Sequence, residues 1–266
     1  MSRIARKLLV GVAATGACLS MFSGLAFAEE EKPTANLTVG ALSQYVWRGF
    51  AYTKDSIVVQ PSATVGYKGF AVNLWGNLDT DRWNRSGEDS NNWTETDMTL
   101  SYDWAMGPVN FSTGYIYYAL DAATDSQEVF LSATLDTLLK PTLKIYRDID
   151  HFAGWYATLG VSHSLPVTGD LALDFGAQVG YLAADEASSY ADPDDANDAY
   201  NNFHDGLLSV SMKIPVNQYV SVTPQVYYSF PLSSDAEDRL KIDNATTIGR
   251  SDDDFIYGGV SVSLAF

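Results

Sequence analysis

The carboxy-terminal stretch Tyr257-Gly-Gly-Val-Ser-Val-Ser-Leu-Ala-Phe266 is the part of the chain that decides the fold prediction. One set of alternate positions, ending with Val262, Leu264 and Phe266, is apolar, and the set between them is smaller and more polar. Because successive side chains in a strand point to opposite faces, this two-residue period predicts a strand with one apolar face. Such strands occur both in soluble β-sandwiches and in membrane-spanning barrels, so the rest of the chain has to distinguish the two.

The same two-residue period recurs along the whole chain. In the fourth such segment, the apolar residues Leu100, Tyr102 and Trp104 alternate with small or acidic ones. Counting segments of this kind predicts twelve strands. They cover residues 37–47, 57–67, 70–78, 95–106, 109–117, 129–135, 143–145, 155–165, 171–181, 208–214, 220–230 and 256–266.

The connections between these segments alternate in length. Those after even-numbered strands are short, as at Lys68-Gly69, whereas those after odd-numbered strands include the long segments 79–93, 184–205 and 231–254. Short turns at one end and long loops at the other are typical of single-chain membrane barrels. Hydrocarbon offers no hydrogen-bond partners, so a sheet in lipid must also close its edges. The sequence therefore predicts an all-β fold, a transmembrane up-and-down antiparallel β-barrel of about twelve strands.

The amino terminus has the pattern of an export signal. Arg3, Arg6 and Lys7 precede an apolar stretch from residue 8 to 25, and Ala26-Phe27-Ala28 matches a cleavage site. The alternative is a membrane-spanning helix, but Gly, Ser and Thr interrupt the run and no stop-transfer pattern follows. We therefore expect a cleaved signal peptide over residues 1–28 and a barrel over residues 29–266, located in the outer membrane of a Gram-negative cell.

Charge and cysteine content exclude several functions. Without the three basic residues of the signal, 13 Lys and Arg remain against 33 Asp and Glu, a net charge of −20. Nucleic acid is therefore excluded as a partner, because phosphate binding requires a basic surface. The single cysteine, Cys18, lies in the predicted signal, which leaves no thiol for catalysis or for a metal site.

No catalytic pattern is present among the remaining residues. The three histidines, His151, His163 and His204, have none of the spacings of a metal site. The adjacent His163 and Ser164 would point to opposite faces of a strand, so they cannot form a nucleophile–base pair. We therefore predict a protein that is not an enzyme and that has no cofactor or dedicated metal site. The acidic loop at 185–198 is either an ordinary solvated loop or a loose divalent-cation site.

The inward-facing positions are candidates for function. They are rich in Ser, Thr and Gln, with fewer charges, of which Arg48, Glu95, Asp97, Lys144 and Asp174 are the predicted pore-lining residues that set selectivity. Barrels of eight strands are filled and those of 16–18 are open, so twelve strands allow either state. We expect porin-like passive passage of small hydrophilic solutes. The alternatives are a closed structural or surface-interaction barrel with acidic loops and, third, a barrel enzyme.

Aromatic residues near the strand ends predict an interfacial girdle, with Tyr45, Trp47 and Trp155 at the loop side and Phe70 at the turn side. Arg147 falls at the outer rim, where it could contact lipopolysaccharide phosphate or remain solvated. Outer-membrane lipid and lipopolysaccharide are therefore expected partners of the barrel's outer surface.

Two segments resemble known outer-membrane proteins. A closing strand that ends on a terminal aromatic, here Phe266, is similar to the last strand of bacterial barrels, and this implies recognition by the barrel-assembly machinery. The stretch Leu42-Ser-Gln-Tyr-Val-Trp-Arg-Gly-Phe50 resembles the first-strand motif of the Gcw_chp or TorF-like group of proteobacterial outer-membrane proteins, whose function is uncharacterised. This resemblance extends over residues 36–78. It implies fold and location and no catalytic residues, with Arg48 pointing inward at the channel mouth.

Overall fold

The computed structural model describes residues 32–81, 91–121, 123–169 and 171–266. The predicted signal peptide, residues 1–28, lies outside the described residues. Among the described residues, no helix has the length and apolar character needed to cross a bilayer.

Twelve antiparallel strands close into one barrel, as the period of the sequence predicts. They are β1 (Thr34–Leu42), β4 (Val58–Tyr67), β5 (Phe70–Asp79), β6 (Asn92–Met106), β7 (Val109–Leu120), β8 (Ser126–Leu135), β9 (Thr142–Asp148), β10 (Gly154–Thr168), β11 (Leu171–Ala184), β12 (Asn201–Met212), β14 (Val220–Pro231) and β15 (Phe255–Ala265). The chain also forms three two-residue strands, β2 (Val46–Trp47), β3 (Phe50–Ala51) and β13 (Ile214–Pro215), the last of which pairs with β14. Each of the twelve barrel strands pairs with its neighbours along the chain, and β1 pairs with β15 from Asn36 opposite Ala265 to Leu42 opposite Gly259. This last ladder leaves the barrel sheet without a free edge.

Alternation along each strand separates the outer from the inner face. On β8, Leu131 is 48% exposed on the outside, whereas its neighbours Phe130 and Ser132 are 3% and 5% exposed inside. The exposed residues of the strands are mainly Leu, Val, Ile and aromatic side chains. An apolar outer face on a closed barrel is the arrangement that a bilayer requires.

The two ends of the barrel differ. The turn end carries residues 32–33, Phe266 and tight connections such as Lys68-Gly69, where both residues have positive φ (52° and 82°). A side chain at Gly69 would place its Cβ 2.6 Å from the Asp103 carbonyl oxygen, so this turn requires glycine. The loop end carries the long connections.

The predicted first strand is wrong at its loop end. It was expected to reach residue 47, but β1 ends at Leu42, and the chain then folds into the lumen as a hairpin of β2 (Val46–Trp47) and β3 (Phe50–Ala51). Tyr45, expected in the outer girdle, is 4% exposed inside and lies 5.6 Å from the ring of Trp75. Aromatic residues suit both a lipid interface and a packed interior, so period alone could not separate the two positions.

A helix replaces most of the predicted loop 231–254. Helix α1 (Ser234–Thr247) begins after Ser233, whose side chain accepts a hydrogen bond from the Ala236 N–H at 3.1 Å. Asp235 and Glu237 lie in its first turn, where their negative charges interact favourably with the positive end of the helix dipole. The helix buries Leu240 against the β2–β3 hairpin and contacts β12 and β14.

Outer aromatic residues form a continuous row at the turn end. Phe70, Tyr102, Trp104 and Phe111, on three neighbouring strands, have successive ring centroids 4.6, 5.9 and 5.2 Å apart. At the loop end the outer face carries Trp155, which is half exposed.

Arg147 is not merely solvated at the rim, because it pairs with a carboxylate. Its guanidinium donates two hydrogen bonds to Asp185, one of them 2.8 Å long, and lies 5.1 Å from the centre of the Trp155 ring. This bidentate pair of a guanidinium with a carboxylate joins Arg147 on β9 to Asp185, just after β11.

Candidate functional site

The lumen is divided into two halves of different chemistry. Its loop-end half is walled by inward-facing aromatic residues, all nearly fully buried: Trp75, Tyr118, Phe130, Tyr146, Tyr156, Tyr227 and Tyr257. Its turn-end half is walled by small polar residues, among them Thr38, Ser62, Ser112, Ser132, Thr158, Ser211 and Ser261. The aromatic half is occupied by residues 43–53, which include the β2–β3 hairpin, and by α1. We call these two segments together the plug.

Arg48, at the tip of the hairpin, attaches the plug to the barrel wall. Its two terminal nitrogens each donate a 2.8 Å hydrogen bond to Glu128 of β8. Glu128 also accepts a 2.8 Å hydrogen bond from the Tyr118 hydroxyl. Burial alone would lower the pKa of Arg48, but the Glu128 carboxylate outweighs it and holds that pKa above its ordinary value.

Aromatic rings enclose the same guanidinium. The carbon at its centre lies 4.1 Å from the Trp47 ring centre, 4.2 Å from that of Tyr156 and 4.9 Å from that of Tyr146. A cation over ring faces gains electrostatic energy, and more so when water is excluded. Arg48 is therefore held on several sides at once.

A second set of contacts ties the hairpin to β12. The Nε2 atom of His204 lies 3.0 Å from the Arg48 carbonyl oxygen, and its Nδ1 lies 3.0 Å from the Tyr200 hydroxyl. A carbonyl oxygen can only accept, so Nε2 carries the proton and Nδ1 accepts from Tyr200. The imidazole thus acts as a neutral bridge between the hairpin and the loop before β12.

Helix α1 closes over the hairpin from the loop end. The Ala51 N–H donates to the Asn244 side chain at 2.9 Å, and the Thr247 hydroxyl donates to the Ala51 carbonyl at 2.8 Å. A Cβ on Gly49 would lie 3.1 Å from both terminal carbons of Leu240. The helix therefore packs directly on the tip of the hairpin, where φ of Gly49 is +81°.

Two buried acids of the barrel wall lie near Tyr45 of the plug. Glu95 and Asp97 on β6 are 9% and 5% exposed, and one Asp97 oxygen has no hydrogen-bond partner among the described residues. Burial, and then these two carboxylates, raise the pKa of Tyr45 in the plug well above its ordinary value. Glu95 and Asp97 on β6, Lys144 on β9 and Arg48 in the plug place ionisable groups of both signs in this part of the lumen.

A cavity of about 70 Å³ lies between the plug and the polar half. Its lining includes Arg48 and Trp47 from the plug, together with Lys144, Thr158 and Asp205 from the wall. Lys144 stands opposite Thr158 in the β9–β10 ladder. The cavity is thus placed at the boundary between the aromatic and the polar halves of the lumen.

The predicted site residues divide into two places. Arg48, Glu95, Asp97 and Lys144 all lie around the plug and the cavity, whereas Asp174 lies near the turn end of β11, where it accepts a hydrogen bond from Ser164. Their role in selectivity stays a prediction. Sequence reasoning missed a further group of site residues: Tyr118, Glu128, Tyr156, His204 and Asp205.

Within the described ranges, no group of three or more His, Cys, Asp or Glu side chains is arranged to hold a metal ion. The fold and the site together define a closed antiparallel barrel that has an apolar exterior, a polar turn-end half of the lumen and an internal plug.

Comparison with known proteins adds two similar structures. A porin has 9% identity, covers 89% of this chain and 100% of its own, and has a TM-score of 0.33. A mutant of the Rh. blastica porin has 9% identity, covers 88% and 99%, and has a TM-score of 0.31. No family model and no curated protein matches the chain. The resemblance of residues 36–78 to the Gcw_chp or TorF-like group therefore stays a prediction.

Proposed function

We propose that this protein is an outer-membrane, porin-like channel for small hydrophilic solutes, and that the plug closes it in the conformation described above. The observation that carries this proposal is the Arg48–Glu128 pair, which joins a segment of chain inside the lumen to the wall. The proposal predicts a conductance that depends on that pair.

The outer surface supports a place in a membrane. Exposed aliphatic residues cover the strands, and the aromatic row from Phe70 to Phe111 marks one rim. The predicted signal peptide and the terminal Phe266 favour the outer membrane and its assembly machinery. Lipid and lipopolysaccharide are the proposed partners of this surface.

The lumen supports passage rather than a solid core. Small hydroxyl-bearing side chains line its turn-end half, as in the ladder where Thr38 and Ser263 hydrogen bond at 2.9 Å. Such walls suit water and polar solutes. The loop-end half is blocked by the plug, whose two segments are not strands of the barrel wall, so their displacement leaves the wall intact.

Planar-bilayer recording on purified, refolded protein tests the proposal. We expect a low or rare conductance for the natural chain and a clear increase for Arg48→Ala, which releases the hairpin from Glu128. The matched control is Asp185→Asn, which weakens a bidentate arginine pair that lies outside the lumen, at Arg147. An Arg48→Ala barrel that is folded but does not conduct would contradict the proposal.

A closed structural or surface-interaction barrel is the second candidate. It is favoured by the packing of Phe50 and Leu240 among the aromatic residues of the loop-end half, which resembles a core. Liposome swelling discriminates between the two, because only a channel admits small sugars when Arg48 is replaced. In either case we propose no enzymatic reaction for this chain.

A further inference from the structure

We propose that the cavity beneath the plug binds a small oxyanion of the carboxylate or phosphate class, held by Lys144. This inference rests on the proposed function, since it assigns a chemical class to the solute. Its test is a binding measurement that does not require the channel to conduct.

Lys144 is a cation without a partner. It is partly buried on β9, and it makes no hydrogen bond or ion pair with any residue in the described part of the chain. An ammonium group removed from bulk water is costly unless charge and hydrogen bonds compensate for it. A ligand that accepts hydrogen bonds and carries negative charge would supply both.

Neighbouring side chains offer further donors to the same space. Thr158, Gln178 and Ser229 line the cavity, and their polar side chains have no hydrogen-bond partner among the described residues. Arg48 lines it as well and uses two of its N–H groups on Glu128. A guanidinium has five such donors, so others remain to be satisfied.

The one acidic residue of the lining is already engaged. Asp205 accepts a 2.8 Å hydrogen bond from the Tyr156 hydroxyl and interacts electrostatically with Arg48. Arg48 in turn is paired with Glu128. Lys144 is therefore the charged group of the cavity lining that lacks a counter-charge in contact with it.

The size of the cavity restricts the ligand. A cavity needs roughly 10–15 Å³ to hold one ordered water molecule. The cavity of about 70 Å³ therefore accommodates a ligand of on the order of five non-hydrogen atoms. Acetate and inorganic phosphate meet this limit. Citrate and disaccharides exceed it and would have to displace the plug.

Calorimetric titration of the detergent-refolded protein with sodium acetate, and separately with inorganic phosphate, tests the site. We expect saturable binding of at least one, weakened about tenfold or more in Lys144→Gln, because a charged hydrogen-bond donor is lost. Lys144→Arg keeps the charge and should retain binding. Asp205→Asn removes the nearby negative charge and should strengthen it.

Lys213→Gln is the matched control, since it removes the same charge beyond the turn end of β12 and outside the cavity lining. The affinity of this variant for acetate or phosphate should stay within about twofold of that of the natural chain.

Three outcomes would overturn the inference: no saturable binding of either anion, binding of ethylammonium as tight as that of the anions, or an unchanged anion affinity in a folded Lys144→Gln. A conducting barrel that binds neither anion refutes the site alone. A barrel that binds an anion but does not conduct, even when Arg48 is replaced by Ala, refutes the proposed function alone.

Discussion

The two halves of the lumen are built on the same twelve strands and yet do different things. In the turn-end half, small polar side chains such as Ser62, Thr64 and Asn73 hydrogen bond to one another. In the loop-end half, inward-facing aromatic rings pack against the plug, with Phe130 and Tyr146 5.9 Å apart. A barrel wall therefore does not determine whether its interior is open. In the loop-end half it is closed by the plug together with the inward aromatic side chains on which the plug packs.

The two halves of the lumen also differ in how much stability is lost when one interaction is removed. The polar wall groups of the turn-end half form hydrogen bonds between neutral side chains, each of which contributes only about 1 kcal/mol. A buried ion pair such as Arg48–Glu128 leaves an uncompensated charge when it is broken. The loop-end half should therefore respond to substitution far more strongly than the turn-end half.

The largest expected effect is that of Glu128→Gln, which strands the Arg48 guanidinium among aromatic rings. We expect the free energy of unfolding to fall by about 3–5 kcal/mol. Urea unfolding in detergent, followed by Trp fluorescence, measures this. Asn73→Ala, the turn-end counterpart, should cost about 1 kcal/mol. Equal losses at the two positions would remove the distinction between the halves.

Leu240→Ala should have the next largest effect. Leu240 is fully buried where α1 packs on the hairpin, so truncation leaves a cavity and costs about 2–5 kcal/mol. The control is Ile242→Ala on the exposed side of the same helix, expected within about 0.5 kcal/mol of the natural chain. The same unfolding measurement applies, and a neutral Leu240→Ala would show that α1 is not part of the plug.

Gly49→Ala tests the tip of the hairpin. A left-handed conformation costs an alanine about 1–2 kcal/mol, and the methyl group must also displace Leu240. Gly107→Ala has the same strain at φ +60° but no atom within 4 Å of its Cβ. The difference between the two losses in unfolding free energy reports the packing at the plug. If Gly107→Ala costs as much, the tip is not packed.

The smallest expected effect is the change in ion selectivity when an acidic residue of the lumen is neutralised. On an Arg48→Ala background, Asp97→Asn and Asp174→Asn should each reduce cation preference, because each removes a negative charge from the lumen. Asp97 should matter more, since it is buried near the plug, whereas Asp174 lies near the turn end and is less buried. Reversal potentials in a salt gradient measure this, and an unchanged value for Asp97→Asn would exclude it from the conducting path.

The barrel could be predicted from sequence because lipid and lumen impose opposite chemistry on successive residues, as Leu131 and Ser132 show. The plug could not, because Tyr45 and Trp47 continue the parity of β1 and suit a girdle equally well. A usable signal was present at Tyr118, Phe130 and Tyr146. These are large aromatic residues at inward positions, and they indicate that something packs against them. Helix α1 was hidden by its polar composition, since only Ala236, Leu240 and Asn244 are buried.

Thiol labelling at Ser112→Cys tests the central claim most directly, since the chain's one native cysteine, Cys18, lies in the predicted signal. Ser112 faces the polar half of the lumen, opposite Asp103 and Ser132. In liposomes, a membrane-impermeant thiol reagent should reach this cysteine from the turn end and not from the loop end, until Arg48→Ala releases the plug. Equal labelling from both ends with Arg48 in place would contradict a lumen closed at its loop end.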